Sequence, residues 1–187
     1  LEPPRLRVEA FNTVVQEALR GSAEALARHR ARVVKHYEPD LPQLLLDGAR
    51  IRRVVGNIVA AALEQMPVGG RMRIETRRNG TWIVFEVLHD RAREQGDALE
   101  QLFVPFAASL GPAGPTPPVP PSGAALGLGV AHQIVREHGG ELRVRIEDEW
   151  SSAFVMTLPV LENQDRRKGP DRRGARRDRR RREEGEG

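Results

Sequence analysis

Residues 126–144 read LGLGVAHQIVREHGGELRV, and this stretch decides the fold class. Its apolar positions predict a helix over 126–138 that ends at the glycine pair 139–140, because glycine readily adopts the left-handed conformation that closes helices. Residues 141–146 are predicted to form a strand and to pair with 153–158 as a hairpin. A helix therefore leads directly into a closing pair of strands.

A second strong helix is predicted over residues 48–66, within DGARIRRVVGNIVAAALEQMPVGG at 47–70. Asp47 stands at the N-cap position, where its carboxylate can accept a hydrogen bond from a free backbone N–H group. Pro67 and the two glycines that follow it end the helix. The apolar residues recur at three- and four-residue spacing and share one face: Ile51, Val54, Val55, Ile58, Val59 and Ala62.

The order of the predicted helices and strands along the chain predicts an α+β fold. This is a two-layer α/β sandwich with a mixed, mostly antiparallel sheet and helices on one face. Asn79-Gly80 predicts a tight hairpin turn, because both residues tolerate positive φ. Residues 107–125 are predicted to be a loop. The other predicted elements are strands over 5–9, 32–37, 72–76 and 81–88, a helix over 10–30 and a short helix over 98–103.

Composition suits one domain with an appendage: the chain has 187 residues, of which 39% are hydrophobic. The absence of cysteine excludes a disulfide framework and a thiolate metal site. No apolar run has the roughly 18–20 residues that span a membrane, and we expect a cytoplasmic protein. Residues 165–187 carry 11 Lys and Arg against 6 Asp and Glu, so the positive charge lies there and the rest is near neutral.

Four segments together resemble the ATP-binding domain of bacterial sensor histidine kinases, which has the Bergerat (GHKL) fold. They are 47–70, QLFVPF at 101–106, GAALGLGVAHQIVREHGG at 123–140, and the strand FVMTLP at 154–159. The resemblance covers about residues 5–160. We therefore predict a histidine-kinase-like ATPase domain over 1–162 and a disordered arginine-rich tail or linker over 163–187.

The resemblance implies binding of ATP and Mg²⁺ and phosphoryl transfer to a histidine. It also implies two partners, a histidine-bearing dimerisation domain and a response regulator. Residues 1–9 resemble the segment that follows the dimerisation domain, so the acceptor histidine is expected outside this chain.

In this family the first long helix carries Asn, three residues and then Asn-Ala, and the second Asn is a magnesium ligand. Here Asn57 matches the first Asn, and Ala61 stands at the second, where a methyl group offers no oxygen to a hard cation. Glu64 lies one turn further on and is a candidate oxygen ligand. The alternative is that Asn57 and Glu64 are ordinary polar residues at the helix edge.

The family's adenine-binding motif, Asp-x-Gly-x-Gly, has no clear match in LHDRAREQG at 88–96. In one register His89 replaces the Asp, and arginines stand at both glycine positions, which implies a different loop. In the other register Asp90 takes the adenine role, again without the glycines. Asp90 is therefore either an adenine ligand or a solvated loop carboxylate.

The family's second glycine box, Gly-x-Gly-Leu-Gly-Leu, is matched at 123–128, where Ala125 replaces one glycine. Such a box wraps a helix N-terminus around an anion, although Gly127 could instead serve only close helix packing. The family's Thr near the last strand corresponds to Ser152, which keeps a hydroxyl group. The matching residues of the box are Gly123, Leu126, Gly127 and Leu128.

The ATP lid of the family corresponds to residues 107–122, which are rich in proline and have no basic residue to contact a γ-phosphate. This loop is a connector, a cover for a ligand, or a segment that docks on an aromatic groove. The tail is either a solvated linker or a contact for an anionic partner, such as nucleic acid, acidic lipid or an acidic protein.

We expect the binding of ATP and Mg²⁺ to be weakened or lost, which predicts a pseudokinase that keeps the fold for assembly or partner binding. The alternatives are an active kinase domain with an atypical site and a non-enzymatic adaptor that works through the tail. No catalytic residue and no metal-binding cluster are predicted. The candidate nucleotide-binding residues are Asn57, Glu64, Asp90, Gly123, Leu126, Gly127, Leu128 and Ser152.

Overall fold

The computed structural model describes residues 3–91, 123–145 and 152–160. The predicted short helix over 98–103, the lid over 107–122 and the tail over 163–187 lie outside these ranges. The described elements, in chain order, are β1 (Arg7–Glu9), α1 (Phe11–Gly21), α2 (Ala23–Arg28), β2 (Arg32–Tyr37), β3 (Leu44–Leu46), α3 (Gly48–Gln65), β4 (Arg71–Asn79), β5 (Trp82–His89), α4 (Gly123–Glu137), β6 (Glu141–Arg145) and β7 (Ser152–Pro159).

The main sheet has five strands in the described ranges, in the order β2-β4-β5-β7-β6. β2 is parallel to β4, and the other neighbouring strands are antiparallel. β1 and β3 form a separate antiparallel pair. The predicted mixed, mostly antiparallel sheet is confirmed.

The helices pack on one face of this sheet. Side chains alternate between the two faces of a strand, so Phe85 and Val87 of β5 share a face with their partners Met156 and Phe154 of β7. These four side chains are completely buried, and they belong to one core with the apolar faces of α1, α3 and α4. Hydrophobic packing therefore fixes α3 and α4 on the same side of the sheet.

The helix predicted over 10–30 is in fact two helices, α1 and α2, separated at Ser22. Glycine at position 21 is unfavourable in a helix. The Ser22 hydroxyl donates a hydrogen bond to the carbonyl oxygen of Ala18 at 3.2 Å, an interaction that competes with regular helix geometry. These two residues give the break its physical cause.

Three other details differ from the prediction. α4 includes Gly123, so it begins before residue 126 and takes up part of the predicted loop. β3 was not predicted, because three apolar residues are too few to show alternation and the strand depends on pairing with β1. The turn after β4 has Gly80 and Thr81 at its centre, and only Gly80 has positive φ (60°), the pattern of a type II′ turn.

None of the helices in the described residues is long and apolar enough to cross a membrane.

Candidate functional site

The helices α3 and α4 meet at a side-chain to backbone hydrogen bond. Asn57 Nδ2 donates to the carbonyl oxygen of Gly127 at 2.8 Å. A Cβ atom at position 127 would lie only 3.2 Å from Asn57 Cγ, so glycine lets the two helices approach this closely. The structure thus brings together the Asn motif of the first long helix and the second glycine box.

A second group of contacts joins the start of α3 to the end of α4. Arg50 Nη1 lies 2.8 Å from Glu137 Oε2, and both side chains are mostly buried. The backbone N–H of Asp47 donates to His138 Nε2 at 3.0 Å, while His138 Nδ1 donates to the Ile134 carbonyl oxygen at 2.7 Å. α3 and α4 therefore run antiparallel and are joined both at the start of α3 and near its middle.

Asp47 caps α3 and also holds the N-terminal segment. Its Oδ1 accepts from the backbone N–H of Arg50 at 3.1 Å, and its Oδ2 accepts from the backbone N–H of Arg5 at 2.9 Å. Burial raises the pKa of this carboxyl group, but these hydrogen bonds and the nearby Arg50 charge outweigh burial and lower it. The carboxylate is therefore charged at neutral pH and connects the N-terminal segment to α3.

At the end of β5, His89 contacts Ser152 at the start of β7. Their side chains are completely buried, and His89 Nε2 lies 2.9 Å from Ser152 Oγ. The imidazole ring also stacks on Phe154 at a centroid distance of 5.7 Å. Met72, His89 and Ser152 are register partners across β4, β5 and β7, so they form one row of the sheet.

Both ring nitrogens of His89 are already engaged. Nδ1 lies 2.8 Å from the carbonyl oxygen of Asp90, which can only accept, so Nδ1 carries the proton. Burial lowers the pKa of His89, because the charged ring loses its solvation. The neutral ring then has an acceptor at Nε2, and the Ser152 hydroxyl donates to it.

Asp90 points to a different part of the molecule. Its carboxylate accepts from the backbone N–H of Arg71 at 2.8 Å and from the Arg71 guanidinium at 3.0 Å. Burial raises the pKa of Asp90, but the hydrogen bonds from Arg71 outweigh that effect and lower it. The structure places His89, and not Asp90, beside Ser152.

The other candidate residues are dispersed. Glu64 is exposed and lines a shallow groove with Arg28 and His29 at the end of α2. Leu128 is buried in the core, whereas Gly123 is exposed and Leu126 has 61% of its surface exposed. Hydrogen bonds join Asn57 with Gly127 and His89 with Ser152.

Residues 46–162 match the family model for the histidine kinase-, DNA gyrase B- and HSP90-like ATPases. The chain belongs to this family.

The most similar curated proteins that we compared are sensor kinases. The alginate biosynthesis sensor protein KinB of Pseudomonas aeruginosa is 31% identical over 121 residues, which cover 65% of this chain and 19% of that protein. The sensor histidine kinase ZraS of Escherichia coli is 23% identical over 162 residues, which cover 86% of this chain and 33% of that protein. This chain thus spans about a fifth to a third of the length of these relatives.

Solved structures agree in fold. The catalytic domain of histidine kinase ThkA superposes with a TM-score of 0.66 at 19% identity, over 83% of this chain and 97% of that chain. ThkA in complex with the response regulator TrrA superposes with a TM-score of 0.64 at 18% identity, over 83% of this chain and 42% of that chain. The chain is a histidine kinase-type ATPase domain, of the kind that acts in two-component signal transduction.

Domains of this family generally bind ATP with Mg²⁺. Ala61, which the resemblance aligns with an oxygen ligand of the family, is completely buried and has only a methyl group. In the register that aligns His89 with the family's Asp, an imidazole replaces the carboxylate. Among the described residues, no three His, Asp or Glu side chains are grouped so that they could hold a metal ion.

Sequence reasoning did not identify the His89–Ser152 pair, although a signal was present. Ile83, Phe85 and Val87 alternate in β5, and His89 continues this alternation toward the helix layer. Continuing the alternation to the last residue of the strand would have placed His89 on the face of the sheet that packs against the helices. No local sequence pattern indicates the contact between Asp47 and His138, because these residues are 91 positions apart.

Proposed function

We propose that this ATPase-type domain belongs to a sensor histidine kinase and has weakened or lost nucleotide binding. In this role it is a pseudokinase module that keeps the fold for assembly with a histidine-bearing dimerisation domain and a response regulator. The observation that carries the proposal is the environment of His89. In the register that aligns His89 with the family's Asp, the ring stands where adenine would be bound, and both of its nitrogens are engaged by the protein.

At the adenine end, the family uses a carboxylate to accept a hydrogen bond from the adenine amino group. A neutral His89 with Nδ1 protonated has one acceptor, Nε2, and Ser152 already donates to it. Loss of one charge-assisted hydrogen bond costs about 1.5–3 kcal/mol. That loss corresponds to about a tenfold to hundredfold weaker complex.

At the metal end, the relevant position is Ala61. An aliphatic side chain provides no ligand for Mg²⁺, which binds through oxygen atoms in near-octahedral geometry. Asn57, one turn earlier, donates through Nδ2 to the Gly127 carbonyl oxygen, so it could offer a metal ion only its Oδ1. The combined losses at the two ends would move a micromolar site toward millimolar affinity.

Two reversions test this proposal. His89→Asp restores the adenine carboxylate, and Ala61→Asn restores the amide oxygen. Each is expected to raise the affinity for Mg-ATP by about tenfold, measured by titration calorimetry. Circular dichroism establishes that each variant is folded.

Ala60→Asn is the matched control, because Ala60 is the neighbouring residue of α3 but is exposed. The control is expected to bind Mg-ATP as the wild type does. If neither reversion binds more tightly than the control, the explanation from these two positions is wrong.

An active kinase domain with an atypical site is the alternative, and it is supported by the close contact of Asn57 and Gly127. The remaining candidate residues, Glu64, Asp90, Gly123, Leu126, Leu128 and Ser152, would then contribute to nucleotide binding. Substituting Glu64 or Asp90 by Ala should lower Mg-ATP affinity in that case. Unchanged affinity in both variants would count against their role.

The arginine-rich tail suggests a third role as an adaptor for an anionic partner. Its 11 Lys and Arg residues lie within the 23 positions of 165–187. Deletion of 165–187 should abolish retention on nucleic acid at low salt. If the protein without 165–187 is retained on nucleic acid as strongly as the full chain, the adaptor role is wrong. We place the protein in the cytoplasm, with an ATPase-type domain over 1–162 and the tail over 163–187.

A further inference from the structure

A groove of about 960 Å³ lies on the outer face of the sheet, opposite the helices. It is lined by side chains of β5 and β7 that point away from the helix layer, among them Val84 and Val155. The groove extends over β6, the edge strand of the described sheet, to Arg136 of α4. None of the candidate nucleotide-binding residues lines it. A ligand in this groove would therefore bind outside the site described above.

Basic side chains outnumber acidic ones in the groove. Among the described residues, its charged lining consists of Arg136, Arg143, Arg145 and Glu141. Arg143 Nη2 donates to Glu141 Oε2 at 2.6 Å, so these two charges neutralise each other. Burial and then the Arg136 charge lower the pKa of His132, which also lines the groove. This imidazole is therefore neutral at pH 7, and the arginines give the groove its positive charge.

A buried carboxylate on the same face of the sheet is shared by two arginines. Glu86 Oε1 lies 3.1 Å from Arg77 Nη2 and 3.6 Å from Arg145 Nη2. Only 6% of the Glu86 side chain is exposed, whereas the two arginine side chains are 43% and 49% exposed. The carboxylate thus holds Arg145 at the groove while part of its guanidinium faces solvent. An exposed, positioned guanidinium favours an anionic ligand such as a phosphate group.

Trp82 adds an aromatic surface to this lining. Its side chain is half-buried, and an indole ring is a flat surface on which a nucleic-acid base can stack. Pro159 is the register partner of Trp82, and the Val160 N–H donates to the Thr81 carbonyl oxygen at 3.0 Å. The chain thus leaves the sheet beside Trp82, a few residues before the basic segment 165–187. That segment has no aromatic residue of its own.

We propose that this groove binds single-stranded nucleic acid, with a base stacked on Trp82 and phosphate groups contacted by Arg136, Arg143 and Arg145. Single strands are favoured because a duplex keeps its base faces inside the stack. The inference rests on the proposed adaptor role and gives that role a site on the folded domain. The tail supplies most of the charge, so binding also needs residues 165–187. Binding of Mg-ATP is not required.

Fluorescence anisotropy of a labelled oligothymidine, titrated with the full chain at low salt, tests the stacking contact. We expect Trp82→Leu to weaken binding by about fivefold or more, because one stacked base is lost. Trp82→Tyr keeps an aromatic ring and should bind nearly as tightly as the wild type. Circular dichroism establishes that each variant is folded.

Arg136→Gln tests the phosphate contacts by the salt dependence of the same binding. Loss of one contact should reduce the slope of log K against the logarithm of the salt concentration by about 0.7. Arg53→Gln is the matched control, because Arg53 is an exposed arginine of α3 that does not line the groove, and its slope should equal that of the wild type. Arg136 is also exposed, so its variant keeps the proposal testable even if Trp82→Leu does not fold.

The outcomes separate the groove from the roles proposed above. Affinity and slope that are unchanged in both groove variants overturn the groove but agree with an adaptor that binds through its tail alone. A full chain that does not bind oligothymidine at low salt overturns the groove and the adaptor role together, and leaves the weakened Mg-ATP site unaffected. Duplex DNA that competes as well as the single strand overturns stacking on Trp82. Polyglutamate that competes equally well overturns nucleic acid as the ligand and identifies a site for an acidic protein.

Discussion

At the scale of single residues, His89 is a buried, neutral imidazole at the end of β5. Its pKa lies below the ordinary value of 6.5 because of burial, and the nearby Asp90 opposes this effect while Arg91 adds to it. As the pH falls below about 6.5, the unfolded chain takes up a proton that the folded protein does not. The free energy of unfolding therefore decreases with falling pH, until the pH reaches the lowered pKa of the folded state.

His89→Gln is expected to remove this part of the pH dependence. Urea denaturation at several pH values between about 5 and 8 measures the slope for wild type and variant. The pKa of His132 is also lowered by burial and contributes in the same direction in both proteins, so the difference between the slopes reports His89. Equal slopes would show that the pKa of His89 is not lowered in the folded state.

The residue scale is also where the sequence was least informative. Asn57 and Gly127 could be marked from the sequence, because helix periodicity and glycine spacing are local signals. The choice between His89 and Asp90 depends on where β5 ends, and strand ends are set by pairing with β4 and β7. The side-chain amide of Gln65 is buried at the end of α3 and has no hydrogen-bond partner among the described residues, a result of packing that no local pattern indicates.

At the scale of elements, the contact between α3 and α4 depends on the absence of a side chain at Gly127. Gly127→Ala is expected to lower the free energy of unfolding by about 1–3 kcal/mol relative to Gly129→Ala. The added Cβ would crowd Asn57, which is held by its hydrogen bond, whereas position 129 has open space. Gly129→Ala should be neutral or stabilising by about 1 kcal/mol, because alanine favours the helix.

Chemical denaturation of the two variants checks this prediction. Equal stabilities would show that α3 and α4 do not approach as closely as described.

The end of α4 gives a second test at this scale. Gly139 has φ of 74° and closes the helix, and a Cβ at Gly140 would clash with the backbone carbonyl of Thr157. Gly140→Ala is expected to lower the melting temperature markedly, because a backbone group has no flexible way to move aside. Gly21→Ala is the control, since a Cβ there has open space. A Gly140→Ala variant as stable as wild type would contradict the packing of α4 on β7.

Most elements could be predicted from the sequence, because long amphipathic helices and alternating strands carry strong periodic signals. The exceptions depend on single side-chain hydrogen bonds or on pairing between distant segments. The break at Ser22 comes from a single side-chain hydrogen bond, and β3 exists through its pairing with β1.

At the scale of the whole molecule, Asp47 connects three parts of the domain: the N-terminal segment, α3 and the end of α4. Asp47→Ala removes the helix cap and the acceptor for Arg5, so it is expected to cost about 2 kcal/mol or more of stability. Hydrogen exchange should increase at the first turn of α3 and at residues 5–9. Asp47→Asn keeps one amide oxygen and should lose only part of this stability. Unchanged exchange at residues 5–9 would show that the segment is held by other contacts.

The central proposal is that the nucleotide site of this domain, at which α3 and α4 meet, has lost its adenine carboxylate and its metal ligand. Calorimetric titration of the wild-type chain with Mg-ATP tests this claim most directly. The account predicts dissociation in the millimolar range or no measurable heat of binding. A micromolar dissociation constant would contradict it.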